Sequence, residues 1–298
     1  MNKLPRRPNK FYKDAEFMSS PEARSLRILS EYLGPLSRFH REKIKDTIVF
    51  FGSARAVPRA QAEAEYQALL QQSETNPLAI TQEVLSQAQT RIVMSQYYEE
   101  AVELSRMLTE WSMSLGRKAR RFVVCSGGGP GIMEAANRGA RLAGGKTIGL
   151  NNSLPFEQAP NPYVSEGLSL DFHYFFTRKY WFAYLAKALI VFPGGFGTLD
   201  EMMEVLTLIQ TAKISKKMVV LLYGSQYWNE VLNFNALVRW GTISAADLKL
   251  FEFADTPQQA FTVVRSGLER YYLSEYLDQE ANTKKQADSE SPMRPFLG

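Results

Sequence analysis

The strongest constraint on the fold is an alternation between short apolar runs and longer segments with helical spacing. The strand-like runs lie at residues 47–51, 121–125, 146–151, 164–170, 188–192, 216–223 and 249–254. The helix-like segments lie at residues 21–43, 97–115, 132–142, 177–187, 198–211, 227–240 and 256–273. Strands that are apolar on both faces are typical of parallel sheets covered by helices on both sides. The pattern therefore predicts an α/β protein with a doubly wound, mainly parallel sheet and helices on both faces.

Three of the runs end in glycine-marked turns. The carboxyl ends of parallel strands meet at one edge of a sheet, and ligands bind there. Glycines let the backbone approach a ligand closely, and the free N–H groups of a helix N-terminus attract anions such as phosphate. Neither long turn contains a P-loop or a clean dinucleotide fingerprint. We therefore expect a nucleotide or sugar-phosphate site at this edge. The residues assigned to it are Gly52, Ser53, Gly127, Gly128, Gly129, Gly131, Gly194, Gly195 and Gly197.

Polar and charged side chains accompany these turns. Thr198 could cap the helix after the last turn or donate its hydroxyl to phosphate, and the two roles are compatible. Asp200 and Glu201 follow, and the helix dipole accounts for one acid early in a helix but not for both. Arg178 and Lys179 head an aromatic-rich helix, where cations oppose the dipole. They are either solvated surface cations or functional groups retained at a cost in stability.

Composition narrows the class of protein. The 298 residues are 45% hydrophobic and carry a formal charge of +4, which allows a sizeable core but offers only a thin basic excess for nucleic acid. The single cysteine, Cys125, falls in an apolar run, and with only two histidines a zinc site is not expected. No signal-peptide pattern or run of about 20 apolar residues occurs. We expect a cytoplasmic protein that uses no metal or cofactor and binds neither nucleic acid nor membrane.

One large domain with additions is the expected organisation. Residues 1–46 are interpreted as an N-terminal helical extension. Residues 47–276 are interpreted as the nucleotide-binding domain, which contains a helix-prone insertion at about 57–96 that could serve as a lid or an interface. Residues 277–298 are a polar tail that we expect to be disordered.

The glycine turns and the cation pair, taken in order, resemble a known family. The stretches "SGGGPGIMEAANRGA", "RK" and "PGGFGTLDE" are similar to the LOG family, formerly described as lysine decarboxylase-like, whose signature is P-G-G-x-G-T-x-x-E. The resemblance covers residues 47–273. It implies a Rossmann-like fold, usually dimeric, and phosphoribohydrolase activity. That reaction cleaves the N-glycosidic bond of a nucleoside 5′-monophosphate to free base and ribose 5-phosphate.

The resemblance also implies roles for individual residues. The family's catalytic arginine and glutamate correspond to Arg178 and Glu201. The implied substrate and phosphate contacts are Gly52, Ser53, Gly127, Gly128, Gly129, Gly131, Glu134, Lys179, Gly194, Gly195, Gly197 and Thr198. Short plant members carry a compact M-H-x-R-K stretch, whereas this chain has "HYFFTRK", so His173 aligns only with a gap. This departure and the 57–96 insertion leave the base preference open.

The residues and the resemblance lead to one main hypothesis. Glu201 is expected to stabilise an oxocarbenium-like sugar, orient ribose hydroxyls and activate water, while Arg178 holds the phosphate or favours departure of the base. The alternatives are a non-catalytic nucleotide or cofactor carrier, or a nucleotide-responsive interaction protein that uses the insertion. A pyridoxal-phosphate decarboxylase is not expected, because no lysine in the glycine turns is convincingly placed to bind that cofactor. The expected partners are a nucleoside 5′-monophosphate and further copies of the chain, as a homodimer or higher homo-oligomer.

Overall fold

Seven parallel strands form one sheet in the computed structural model, which describes residues 10–76, 80–116, 120–152 and 159–274. The strands are β1 (Thr47–Phe51), β2 (Val123–Ser126), β3 (Thr147–Asn152), β4 (Ser169–Phe172), β5 (Ala186–Val191), β6 (Val219–Tyr223) and β7 (Glu252–Ala254). They lie in the order β4-β3-β2-β1-β5-β6-β7, and each neighbouring pair is parallel. The polar tail predicted at 277–298 lies outside the described residues.

Helices cover both faces of this sheet. They are α1 (Ala15–Ser19), α2 (Arg24–Arg41), α3 (Arg59–Thr75), α4 (Gln82–Ser114), α5 (Ile132–Leu142), α6 (Phe175–Leu185), α7 (Phe196–Gln210), α8 (Ser225–Val231), α9 (Phe234–Arg239) and α10 (Pro257–Tyr272). Short 3₁₀ helices lie at Phe11–Lys13, Pro21–Ala23 and Ala245–Leu250.

The core is divided into two layers by the sheet, because side chains alternate between its faces. In β1, Ile48 and Phe50 pack in a cluster with α4, α5 and α10, whereas Val49 and Phe51 pack with α2, α6 and α7. The whole of β1 is buried. Phe39 of α2 belongs to the second cluster, so the N-terminal helix contributes to the core. The predicted doubly wound α/β fold is confirmed, and the sheet is parallel throughout.

The strand order places a crevice beside β1. From β1 to β4 the chain builds the sheet in one direction, and from β5 to β7 it builds in the other. The loops after β1 and β5 diverge at this reversal, which is where doubly wound sheets bind ligands. The two loops are tied together, since the Ser53 N–H donates to the Pro193 carbonyl at 2.9 Å. Two of the three predicted glycine turns, those after β1 and β5, therefore meet at one point.

Three elements differ from the sequence-based expectation. The strand predicted at 249–254 is shorter, because a 3₁₀ helix extends to Leu250 and β7 begins at Glu252. The strand predicted at 164–170 is β4, which begins later because Gly167 adopts a left-handed φ of 77° just before it. The helix predicted over 227–240 is divided into α8 and α9. The division falls at Asn233, whose side chain accepts the Ala236 N–H and caps the second helix.

The segment 57–96, predicted as an insertion or a lengthened helix connection, forms helices that pack against each other. It forms α3 and the first part of α4, and α4 continues without a break for 33 residues into the helix predicted at 97–115. The Gln89 amide donates to the Tyr66 hydroxyl at 2.9 Å, and Arg91 pairs with Glu65 at 2.7 Å. The segment is thus anchored to a helix that also packs on the sheet.

Candidate active site

A cleft opens where the strand order reverses. Its volume of about 590 Å³ is typical of small-molecule sites. Its floor and walls come from the loops after β1, β2 and β5 together with α6 and α7. The cleft brings together the predicted residues Gly52, Ser53, Gly127, Arg178, Gly194, Gly195, Gly197, Thr198 and Glu201. The remaining predicted residues, Gly128, Gly129, Gly131, Glu134 and Lys179, lie outside this lining.

The loop after β5 ends in the N-terminus of α7. The helix begins at Phe196, and its N-cap is Gly195, which provides no side-chain cap. The Leu199 N–H is the first in the helix to donate to a carbonyl of the preceding turn, that of Gly195, at 3.0 Å. The N–H groups of the preceding residues therefore point out of the helix end, as an anion site requires. Thr198 is the third helical residue rather than the N-cap.

The three glycines of this loop have different surroundings. A Cβ on Gly194 would lie 2.2 Å from the Thr198 hydroxyl and 3.0 Å from the Gly52 carbonyl carbon, so Gly194 allows the two loops to pack. A Cβ on Gly195 or Gly197 would meet no protein atom within 4 Å. Neither of these two has a positive φ. The fold therefore requires the first glycine, and the other two are open toward solvent.

The glycine turn after β2 is shaped mainly by contacts within the protein. Gly128 and Gly131 adopt φ values of 74° and 72°, which disfavour a side chain. The Asn161 side chain donates to the carbonyls of Gly128 and Gly129 at 3.0 and 2.9 Å. Asn161 was missed from the sequence, because a single asparagine in a Pro- and Asn-rich loop carries no distinctive signal.

Arg178 is held from three sides in the first turns of α6. Its Nε donates to the Leu150 carbonyl at 2.7 Å, and its guanidinium lies 5.1 Å from the centre of the Phe182 ring. A Cβ on Gly127 would lie 2.7 Å from Nη2, so that glycine makes room for the guanidinium. Burial lowers the pKa of Arg178, and the nearby Glu201 carboxylate opposes that effect. Arg178 is therefore an anchored, largely buried cation rather than a solvated surface group.

Glu201 projects from α7 into the same cleft with only 6% of its surface exposed. Burial raises its pKa from 4.5 to about 7, although Lys179 and Arg178 lower it. The residue lies in the second turn of α7, so the interpretation that it complements the helix dipole does not apply. A carboxyl group that titrates near neutrality is suited to acid–base work.

Lys179 and Glu134 contact other protein groups. The Lys179 ammonium pairs with Asp200 at 2.7 Å and with Glu204 at 3.0 Å, and thereby ties α6 to α7. Asp200 thus has an ion-pair partner, which replaces the dipole role inferred from sequence. The Glu134 carboxylate accepts the Tyr98 hydroxyl at 2.7 Å and so links α5 to α4.

Across the four described stretches of the chain, no cluster of three or more His, Cys, Asp or Glu residues is arranged to hold a metal ion. No helix in those stretches has both the length and the apolar character that crossing a membrane requires. Cys125 is buried in β2, as expected from its apolar surroundings.

Known proteins resemble this chain in sequence. A family model described as "Possible lysine decarboxylase" matches residues 133–264. A cytokinin riboside 5′-monophosphate phosphoribohydrolase of Arabidopsis thaliana is 30% identical over 171 residues, which cover 55% of this chain and 73% of that protein. The chain belongs to the LOG family. A probable phosphoribohydrolase of the same kind from Oryza sativa subsp. japonica is 31% identical, with the same two coverages of 55% and 73%.

The match to other members is less extensive. This LOG-family chain spans 66% of a second rice relative and 59% of a second Arabidopsis relative, at 30% and 32% identity. Among solved structures, the molybdenum cofactor carrier protein of Chlamydomonas reinhardtii aligns with a TM-score of 0.44 and 18% identity, over 75% of this chain and 98% of that one.

Proposed function

We propose that this protein hydrolyses the N-glycosidic bond of a nucleoside 5′-monophosphate to give free base and ribose 5-phosphate. The observation that carries the proposal is the placement of Arg178 and Glu201 on two different helices around one cleft, beside an uncapped helix N-terminus. The relatives' names, which describe them as phosphoribohydrolases, support the same reaction.

The phosphate would bind at the N-terminus of α7. Three features support this role: the outward-facing N–H groups, the positive end of the helix dipole, and the open space at Gly195 and Gly197. Gly194 would keep the loop folded against Gly52. Binding the non-reacting phosphate would position the sugar, so that remote binding energy contributes to the rate.

Glu201 would act on the ribose. Cleavage of an N-glycosidic bond builds positive charge on the sugar ring, and an adjacent carboxylate stabilises that charge. The same carboxylate could take a proton from the attacking water. Both roles need the ionised form, and a pKa of about 7 supplies that form at and above neutral pH.

Arg178 would favour departure of the base or hold the phosphate. Its Nε is occupied by the Leu150 carbonyl, so its terminal amino groups are the ones available to a ligand. The aromatic rings of Phe182 and Phe175 hold the guanidinium plane in place. The base would lie along the apolar wall of the cleft, which includes Met94 and Met133.

We also propose a homodimer formed through α6. Four aromatic side chains of this one helix are 37–56% exposed, which concentrates exposed apolar surface on a single element. They are Phe175, Phe176, Tyr180 and Tyr184. Light scattering coupled to gel filtration tests this proposal, and a monomer at micromolar concentration would contradict it.

The activity is tested with a panel of nucleoside 5′-monophosphates and the matching nucleosides. Chromatography should detect free base from at least one monophosphate and much less from its nucleoside, because the phosphate site contributes binding. Glu201→Ala should remove nearly all turnover. Full activity in that variant would refute the assignment. Binding of monophosphates without release of base would support the alternative of a non-catalytic carrier.

Gly195→Ala separates ligand contact from folding. The added methyl group meets no protein atom within 4 Å, so the variant should fold like the wild type but lose affinity for the phosphate. Gly34→Ala is the matched control, because that glycine also has open space and lies in α2, away from the cleft. Equal turnover in both variants would argue against phosphate binding at this loop.

A further inference from the structure

Glu31 of α2 contacts the N-terminal end of α6 with its whole carboxylate. One oxygen accepts the His173 N–H at 2.8 Å, and the other accepts the Tyr174 N–H at 3.2 Å and the Thr177 hydroxyl at 2.5 Å. The Glu31 carbonyl accepts the Trp181 indole N–H at 2.9 Å. A single residue of the N-terminal extension therefore makes four hydrogen bonds to the segment that carries Arg178.

These hydrogen bonds provide a cap that α6 lacks within its own sequence. Its N-cap, Tyr174, provides no side-chain cap, and the first turns carry two cations, Arg178 and Lys179. Cations at this end oppose the helix dipole, and the unpaired N–H groups there require acceptors. The Glu31 carboxylate accepts the N–H of the N-cap, Tyr174, and that of His173 before it, and it also supplies a negative charge.

The contact leads directly to Arg178. Tyr174, whose N–H is held by Glu31, accepts the Arg178 N–H through its own carbonyl at 3.3 Å. The Arg178 side chain then extends to the Leu150 carbonyl and the cleft. At the other end of α6, the Lys216 side-chain nitrogen donates to the carbonyls of Ala183 and Tyr184. Side chains from outside the helix thus hold both of its ends.

We propose that Glu31 is a positioning residue for Arg178, and that the N-terminal extension supports the active site by capping α6. The proposal rests on the proposed hydrolase function, because it concerns the residue that would assist departure of the base. Glu31 lies outside the cleft lining and acts through the helix.

The test compares Glu31→Gln, Glu31→Asp and the control Glu16→Gln, which removes an exposed acid from the same extension. Glutamine keeps the size but loses the charge and one acceptor, so kcat should fall roughly tenfold to a hundredfold with little change in KM. Aspartate keeps the charge and should recover part of the loss. The control should retain wild-type kinetics.

Hydrogen exchange of the 173–178 amides supplies a readout that does not depend on turnover. In Glu31→Gln these amides should exchange roughly tenfold faster or more, because charge-assisted bonds are lost, while amides of β1 and β5 keep their protection. If wild-type protein releases no base, the proposed function fails, yet the exchange result still tests the cap. Wild-type kcat together with unchanged exchange in Glu31→Gln would overturn the proposal. So would uniform loss of protection with no recovery in Glu31→Asp, since that indicates a general folding role.

Discussion

Replacing Glu201 by glutamine removes a buried charge while keeping nearly the same shape. Burial raises the pKa of Glu201 from 4.5 to about 7 in the folded protein, so ionisation is harder in the folded state than in the unfolded state. At about 1.4 kcal/mol per pKa unit, this shift lowers the free energy of unfolding of the wild type by about 3 kcal/mol at pH 8. Below pH 4.5 the group is protonated in both states, and this penalty disappears. The wild type should therefore lose stability as pH rises from 4.5 through 7.

The glutamine variant should escape this penalty. Urea unfolding should show Glu201→Gln to be more stable than wild type by about 3 kcal/mol at pH 8, and by no more than about 1 kcal/mol at pH 5. The matched control is Asp200→Asn, one residue earlier on α7, whose carboxylate is half exposed and pairs with Lys179. Because that change removes a favourable pair, it should give no gain at pH 8.

Two results would contradict the reasoning. One is equal stability of Glu201→Gln and wild type at pH 8, which would mean that the Glu201 charge is fully compensated in the folded state. The other is a gain that stays constant between pH 5 and pH 8, which would indicate a packing effect. The same ionisation should shape catalysis, since the proposed mechanism uses the carboxylate form of Glu201. The value of kcat/KM, which reports groups of the free enzyme, should therefore rise with pH through about 7 on its acidic side, as a pH profile of kcat/KM would show.

Gly127→Ala should reduce turnover roughly a hundredfold, because the added Cβ would lie 2.7 Å from Nη2 of Arg178 and displace the guanidinium. Steady-state kinetics measures this loss, and a thermal melt of the same variant distinguishes it from unfolding. Gly127→Ser at wild-type rate would contradict that steric argument. Asp46→Asn should destabilise the fold by about 3–5 kcal/mol in urea, because it leaves the buried Arg121 cation without its carboxylate. Glu269→Gln is the control, taken from a partly exposed ion pair with Arg265, and should change stability by less than about 1 kcal/mol.

Local pattern was sufficient to predict the layers of the fold. The β1 segment is continuously apolar, and the structure buries all five of its residues between two helical layers. The same pattern could not give the order of strands, because hydrophobicity does not encode which strand lies beside which. The pairing of Phe51 with Val191 joins strands about 140 residues apart, and the crevice between their loops depends on that pairing.

Some residues of the candidate site could be predicted from the sequence, and others could not. Gly194, Gly195 and Gly197 were recognisable from spacing, but only the structure separates the glycine that packs from the two that are open. Glu31 and Asn161 were not predicted at all. Each acts across the chain, and the bonds of Glu31 span 142 to 150 residues. Contacts of that kind leave no periodicity or spacing from which they could be inferred.

Charge pairing around the cleft explains why a single carboxylate carries the proposed chemistry. Lys179 is paired with Asp200 and Glu204, and those bonds fix α6 against α7. Arg178 is anchored through one nitrogen, so its remaining donors stay available. Glu201 differs from all of these, since no ion pair or hydrogen bond within the described residues engages its carboxylate. The cations that lower its pKa act at a distance and only in part offset its burial. A buried carboxylate whose charge is only partly compensated is stabilised strongly by a neighbouring positive charge. An oxocarbenium-like sugar carries such a charge in the transition state, whereas the substrate does not.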